Sequence, residues 1–192
     1  MDIIFSGLDA RASSVVLEGL LDVADVRASC SELVVRADAA GVAVGGELAV
    51  ATTVVEAAIN RVLGRVQQRP LADLQIALLD GPVRITGRYS VAGPVAVPFE
   101  LSGRLEIDGG ARLRLQTERV SVVGASLPEA MLAPIGERVN AHLAEALDVT
   151  RLPIPVRLTR VVVEPGRATL HAAWRIDNQV ARPADPGAID PE

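Results

Sequence analysis

The sequence predicts an α+β fold in which a strongly curved antiparallel sheet wraps a long helix and is joined by a second helix. Two segments place apolar residues at the three- and four-residue spacing of a helix face, and the chain between and after them alternates with a period of two. One alternating segment, Val95 to Ile107, is far longer than the ~5–6 residues of a typical strand. A strand of that length must coil within a small domain, which favours a sheet wrapped around a helix.

The helix boundaries are predicted from capping residues. In TTVVEAAINRVLGRVQQ, Thr53 and Glu56 have the spacing of a capping box, so the first helix is predicted to begin after Thr53. Ser126 and Glu129 repeat this spacing before the second apolar stripe, which ends at the sequence LPIP. A weaker helical pattern covers residues 10–21.

The strands are predicted to be joined by short turns. Asp80-Gly81-Pro82 and Asp108-Gly109-Gly110 are typical of tight turns, and both lie between alternating segments. The last alternating segment is GRATLHAAWRI, residues 166–176. Its even-numbered positions are mostly apolar, and its odd-numbered positions include arginine, threonine and histidine. We therefore predict a strand there with one apolar and one solvated face. The apolar face holds Ala168, Leu170, Ala172, Trp174 and Ile176.

The composition limits both the interior and the partners. Nearly half of the residues are apolar, but the aromatic residues are only Phe5, Tyr89, Phe99 and Trp174, so the core must be largely aliphatic. With a net charge of -5 and few rings, the chain lacks the clustered cations and stacking surfaces of nucleic-acid-binding proteins. Cys30 is the single cysteine, which excludes an internal disulfide and a metal cluster built from thiols.

One domain is predicted over residues 1–177, since this length buries a sizeable core. Residues 178–192 are rich in proline and acidic residues, so they are predicted to form a disordered tail. The N-terminus has no basic region and no apolar run long enough for a signal peptide, and no segment has the length of a transmembrane helix. The sequence therefore predicts a protein that is cytoplasmic or peripheral to a membrane.

No enzyme activity, cofactor or metal site is predicted. The sequence has no Gly-x-Ser-x-Gly elbow, phosphate-binding loop, dinucleotide-binding glycine run or His-x-x-x-His pair. His142 and His171 are interpreted as rim or surface residues. A hydrolase of lipid substrates that uses Ser102, His142 and His171 is a weaker alternative, which fails if no esterase activity is detectable.

Four short motifs follow one another along the chain. They are VPF at Val97, the glycine hairpin at Gly109, LPEAM at Leu127 and LPIPVRL at Leu152. This succession, within residues 31–176, resembles the bacterial LmeA-like phospholipid-binding family, which is similar to the tubular lipid-binding (TULIP) domains of eukaryotic lipid carriers. The resemblance implies a TULIP-like fold, in which a curved antiparallel sheet cradles a long helix and leaves an apolar groove for acyl chains.

The predicted function is non-catalytic binding or carriage of a lipid, such as a phospholipid, or of another long-chain apolar ligand in a groove between sheet and helix. Burial of a ~16-carbon chain at ~0.8 kcal/mol per methylene contributes on the order of 13 kcal/mol before ordering costs. The residues predicted to line the groove are Ile85, Val97, Phe99, Leu101, Leu113, Leu115, Met131, Ile135, Val139, Leu170 and Trp174.

Two further kinds of partner are considered. Arginines on the polar strand faces would favour peripheral contact with an anionic membrane, at ~1 kcal/mol each near a charged surface. The alternative function is structural: a self-association module with a filled core and no ligand, whose apolar face or strand edge is buried in a homodimer.

Overall fold

The computed structural model describes residues 2–16, 22–38, 41–65, 70–92, 95–122, 129–146, 148–151 and 155–181. Within these ranges the chain forms nine strands, two α-helices and one short 3-10 helix. In chain order they are β1 (Asp2–Val16), β2 (Asp22–Asp38), β3 (Gly41–Val55), α1 (Glu56–Arg65), β4 (Leu71–Leu78), β5 (Val83–Ala92), β6 (Val95–Asp108), β7 (Arg112–Val122), α2 (Glu129–Ala146), the 3-10 helix (Val149–Arg151), β8 (Val156–Glu164) and β9 (Arg167–Ala181).

The strands form two antiparallel sheets. The five-stranded sheet has the order β1-β2-β3-β9-β8, and the four-stranded sheet has the order β4-β5-β6-β7. The α1 helix follows β3 and leads into the four-stranded sheet, and α2 returns the chain from β7 to the five-stranded sheet. The α+β class and the antiparallel pairing are confirmed. The wrapping of a long helix by a curved sheet stays a prediction, since α1 has 10 residues, α2 has 18, and they pack on β4 and β7 respectively.

The predicted helix over residues 10–21 is wrong where the structure describes it. Residues 10–16 belong to β1, which pairs with β2, and residues 17–21 lie outside the described ranges. The local sequence contains Ser13, Ser14, Val15 and Val16, and serine and valine are poorer helix formers than alanine or leucine. Pairing with β2 places Val15 opposite Val23, which is buried, so tertiary packing favours the strand.

The predicted N-cap at Thr53 is also wrong. Thr53 lies in β3, opposite Thr169, because the run of β-branched residues that precedes Glu56 continues the strand. The helix begins at Glu56, whose amide donates to the carbonyl of Gly166 (2.9 Å) and whose carboxylate accepts from the amide of Leu78 (2.8 Å). Glu56 thus ties the start of α1 to both sheets.

Two other predicted boundaries differ from the structure or fall outside it. The predicted cap Ser126 lies outside the described residues, and α2 is described from Glu129. The predicted tail was placed after Asp177, but β9 continues to Ala181, where it pairs with Gly41. Residues 182–192 lie outside the described ranges, and the single domain stays a prediction.

One hydrophobic core is shared by both sheets. Val54 and Ala168 enter it from the five-stranded sheet, and Leu101 and Phe99 enter it from the four-stranded sheet. The Phe99 ring lies against Gly87 on the neighbouring strand, where an added Cβ would come within 2.9 Å of the ring. Among the described residues, every other buried member of this core is aliphatic, as the composition predicts, and the half-buried Tyr89 packs against it.

Hydrogen bonds between turns join the two sheets. Gly166, in the turn between β8 and β9, donates its amide to the carbonyl of Leu78 (3.0 Å). Its φ of 74° lies in the left-handed region that glycine adopts without strain. At the same end of the four-stranded sheet, the amide of Leu158 on β8 donates to the carbonyl of Gly110 in the turn between β6 and β7 (2.7 Å). These bonds fix how the strand ends of the two sheets meet.

An asparagine on each helix forms hydrogen bonds with the backbone amide and carbonyl of one residue in an edge strand of the four-stranded sheet. Asn60 of α1 accepts from the amide of Ile76 (2.7 Å) and donates to its carbonyl (2.9 Å). Asn140 of α2 accepts from the amide of Leu115 (2.7 Å) and donates to its carbonyl (3.1 Å). Because β4 and β7 are edge strands, each side-chain amide occupies the place of a neighbouring strand.

We predict that Asn60→Asp lowers the free energy of unfolding by about 1–3 kcal/mol, because a carboxylate leaves the Ile76 carbonyl without a donor. Gln75→Glu makes the same chemical change at an exposed position of the neighbouring strand and is expected to change stability by less than about 0.5 kcal/mol. Urea denaturation of both variants measures the difference. Equal stabilities would show that the asparagine does not secure the edge of β4.

Asp148 is a buried carboxylate before the 3-10 helix. It accepts from the hydroxyl (2.6 Å) and the amide (2.9 Å) of Thr150 and from Nε of Arg112 on β7 (3.0 Å). The pKa of Asp148 lies below its ordinary value, chiefly because the Thr150 hydroxyl donates to the carboxylate; burial opposes this, and the Thr150 amide and Arg112 add to it. The folded protein therefore holds the charged form more strongly than the unfolded chain does.

Because the pKa of Asp148 is lower in the folded protein, its ionised carboxylate stabilises the fold at pH values above the ordinary aspartate pKa. This stabilisation is lost as the pH falls through the pKa that Asp148 has in the folded protein. We predict that Asp148→Asn is less stable than the parent at neutral pH. The difference should narrow as the pH falls from about 5 to about 3. Denaturation curves across this range provide the measurement, with Asp80→Asn, at an exposed turn position, as the control. A difference that does not depend on pH would contradict the assignment.

Candidate functional site

The register of the five-stranded sheet places its apolar residues on one face. Cross-strand partners in an antiparallel sheet point to the same side, so each row of partners can be followed across the strands. One row crosses all five strands from Leu8 through Cys30, Leu48 and Trp174 to Val156. With strands about 4.8 Å apart, this row spans roughly 19 Å.

The neighbouring rows on this face are also apolar. One contains Ala10, Ala28, Val50, Ala172 and Leu158. Another contains Phe5, Leu33, Gly46 and Ile176. We call the surface formed by these three rows the apolar face of the five-stranded sheet. It is continuous with Val54 and Ala168, which are part of the protein core.

The apolar face is covered at one end and open at the other. Val54 and Ala168 are each 2% exposed, and α1 follows Val55 directly. Towards the opposite end, Leu48 and Trp174 are half-buried, and Leu8 and Phe5 are each 43% exposed. Cys30, which lies between Leu8 and Leu48 in the same row, is small and buried. The described elements therefore leave part of a continuous apolar surface accessible.

The other face of the same sheet is mixed: it carries charged residues on β3 and β9, and one of its rows contains Ile4, Val34 and Gly45. Glu47, Arg175 and Asp177 lie on it, and their strand neighbours there are mostly alanine and glycine. This arrangement confirms the sequence prediction for the strand over residues 166–176. Leu170 and Trp174 point to the apolar side, and His171 and Arg175 to the other.

Most of the predicted groove residues lie in the closed core instead. Their exposed fractions are at most 3%, and they pack together between the four-stranded sheet and the helices. This group is Ile85, Phe99, Leu101, Leu113, Leu115, Ile135 and Val139. Val97 is half-buried in β6, and the side chain of Met131 lies outside the described residues. That these residues contact a ligand stays a prediction.

Only Leu170 and Trp174 of the predicted set lie on the apolar face of the five-stranded sheet. The residues of β1 to β3 on that face were missed because bulges interrupt the alternation that identifies a strand. The register of β2 with β3 shifts between Ala24 and Arg27 and again between Cys30 and Leu33. The segment from Leu48 to Val54 does alternate, and it was the available sequence signal for β3.

A surface cleft lies between β7 and α2. It has a volume of about 670 Å³, and its lining mixes charged side chains such as Arg114 and Glu137 with the apolar side chains of Leu115 and Val120. Unlike the apolar face, it has no continuous row of apolar residues across several strands.

The described residues show no arrangement for catalysis or metal binding. Ser102 lies in β6, His142 in α2 and His171 in β9, and no hydrogen bond among the described residues joins any two of them. The ring of His142 instead contacts the carbonyl of Arg138 (2.9 Å). The same part of the chain contains no group of histidine, cysteine or acidic residues suited to a metal ion.

None of the helices in the described ranges has the length and apolar character needed to span a bilayer. No curated protein and no solved structure shows significant similarity to the chain. The family model described as LmeA-like phospholipid-binding matches residues 5–173, which extends the resemblance seen in the sequence to include most of β1. The match covers most of the chain and both sheets. The chain therefore belongs to the LmeA-like phospholipid-binding family.

Proposed function

We propose that the protein binds a phospholipid without chemical conversion by holding its acyl chains on the open part of the apolar face of the five-stranded sheet. The observation that supports this most strongly is the row from Leu8 to Val156, which is apolar on all five strands and only partly covered. The family supplies the ligand class, and the register supplies the surface.

The energetics of the surface suit an acyl chain. Apolar area removed from water contributes roughly 25 cal/mol per Å², and the face offers aliphatic side chains with few polar groups that would lose hydrogen bonds. Gly46 contributes no side chain to this face, because the space of an added Cβ is taken by the Glu32 carbonyl oxygen (2.8 Å) and the Leu33 side chain.

The closed core argues for this surface rather than for a groove between the four-stranded sheet and the helices. Leu101 and Ile135 are fully buried, so a ligand there would have to displace well-packed side chains. On the open face no such displacement is needed. Carriage of the lipid then requires that its chains leave a bilayer and reach this face.

The open end also carries the features expected of a membrane-contacting rim. Ile3 and Phe5 are exposed there, and Arg36 on the neighbouring strand has a side chain that is 69% exposed. Its ion pair with Asp2 is long (3.6 Å) and solvent-exposed, so it contributes little and leaves the guanidinium accessible to a lipid phosphate. We propose that this end meets the anionic membrane during lipid exchange.

Trp174, the single tryptophan, provides a direct test of where the acyl chain lies. We predict that a phospholipid with brominated acyl chains quenches the fluorescence of Trp174, since the indole lies on the proposed contact surface. The same phospholipid without bromine is the control. Lipid that co-purifies or binds without any quenching by its brominated form would contradict the proposed location.

A matched pair of substitutions tests the face. Leu48→Asp places a carboxylate beside Trp174 on the apolar side, and Ala49→Asp places the same group on the opposite side. We predict that Leu48→Asp lowers phospholipid affinity about tenfold or more, because lipid binding would desolvate the charge, whereas Ala49→Asp leaves it nearly unchanged. Vesicle co-sedimentation and thermal melts measure affinity and folding. Equal affinities in two folded variants would exclude this face.

A further inference from the structure

The β1 strand forms an outer edge of the five-stranded sheet, and the described residues leave this edge exposed. It is 15 residues long, and no described residue pairs with its outer side. Ile3, Ile4, Phe5 and Leu8 on this strand are each more than 40% exposed. Long apolar edge strands usually pair with another strand or carry features that prevent pairing. The sequence of β1 indicates which strand would pair with it.

The irregular positions of β1 are arranged symmetrically about Ala10. The ladder between β1 and β2 skips two residues of β1, Gly7 and Ser13, which are equally far from Ala10. Gly7 has a φ of 68°, and Ser13 lies opposite the positive-φ residue Asp25. Asp9 and Arg11, with opposite charges, flank Ala10 on its two sides.

From this symmetry we propose that β1 pairs antiparallel with β1 of a second copy of the chain, about a two-fold axis at Ala10. In this register Gly7 and Ser13, the two positions that the β1–β2 ladder skips, meet each other. Each aspartate meets an arginine, and apolar residues meet apolar residues. The resulting pairs, each formed twice, are Asp9–Arg11, Leu8–Ala12, Gly7–Ser13 and Phe5–Val15.

The charges select this register over its neighbours. A shift of the axis by one residue places either Asp9 opposite Asp9 or Arg11 opposite Arg11, and like charges directly opposite each other are destabilising. If the two-fold axis lay midway between two residues, each residue would pair with one that points to the opposite face of the sheet. Apolar side chains would then lie opposite solvated ones. The alignment centred on Ala10 avoids both problems.

The surroundings of Arg11 favour an acidic neighbour on the open side. Within the sheet Arg11 lies opposite Arg27, a like charge, and Arg27 is already paired with Asp25 (2.7 Å). Neither Asp9 nor Arg11 forms an ion pair with a described residue of its own chain. Asp9 of the second copy would place a carboxylate on the unpaired side of Arg11.

The pairing would also enlarge the proposed lipid site. A two-fold axis perpendicular to the sheet keeps the faces of both copies on the same side, so two five-stranded sheets become one of ten strands with a shared apolar face. This consequence rests on the proposed function, whereas the pairing of the strands does not. The two ideas can therefore fail separately.

Cysteine cross-linking tests the register in the full chain. In a Cys30→Ala background, Ala10→Cys places two thiols opposite each other with Cβ atoms about 4.5–5.5 Å apart, so copper phenanthroline should convert most of the protein to a covalent dimer. Ala12→Cys is the matched control on the same face, because its two copies are offset by about 13 Å along the strands. No dimer with Ala10→Cys, or equal dimer with both variants, would overturn the proposal.

Charge reversal gives an independent readout by sedimentation velocity without lipid. Asp9→Arg should raise the Kd of the dimer about tenfold, and adding Arg11→Asp should restore it, since the swapped pair has the same complementarity. Circular dichroism establishes that each variant is folded. A double variant as weak as the single one would overturn the register. Quenching of Trp174 by brominated lipid, measured on separate samples of the same variants, reports the lipid site whatever the state of association.

Discussion

The pairing register of the long antiparallel strands is the constraint on which this structure depends. Because cross-strand partners share a face, a register that puts Leu48 beside Trp174 and Cys30 also collects the other apolar residues of five strands on one side. The core covers only the part of that face near Val54 and Ala168. The strands extend beyond the core, and their apolar face extends with them.

The rest of the molecule closes the covered end. The four-stranded sheet and the two helices form a packed interior, and Asn60 and Asn140 satisfy the backbone of its two edge strands. Glu56 and Gly166 join this unit to the five-stranded sheet through backbone hydrogen bonds. The described residues of this packed unit cover one end of the long strands and leave the rest of their apolar face accessible.

The sequence predicted the regular parts of the molecule and not the irregular ones. The α+β class, the hairpin turn at Gly109 and the two faces of β9 follow from periodicity and turn chemistry, which are local properties. The β1 and β2 strands were missed because the positive-φ residues Gly7 and Asp25 and the register shifts of β2 against β3 break the alternation within a few residues. The closed packing of Leu115 and Ile135 could not be predicted, since an apolar side chain looks the same whether it lines a core or a groove.

Methyl NMR with a phospholipid spin-labelled on its acyl chain tests the location of the ligand most directly. If the apolar face of the five-stranded sheet holds the chain, the methyl signals of Leu8, Leu48 and Val50 should broaden, while those of Leu115 and Ile135 should not. Broadening confined to Leu115, Ile135 and their core neighbours would contradict the account and return the ligand to the groove between sheet and helix.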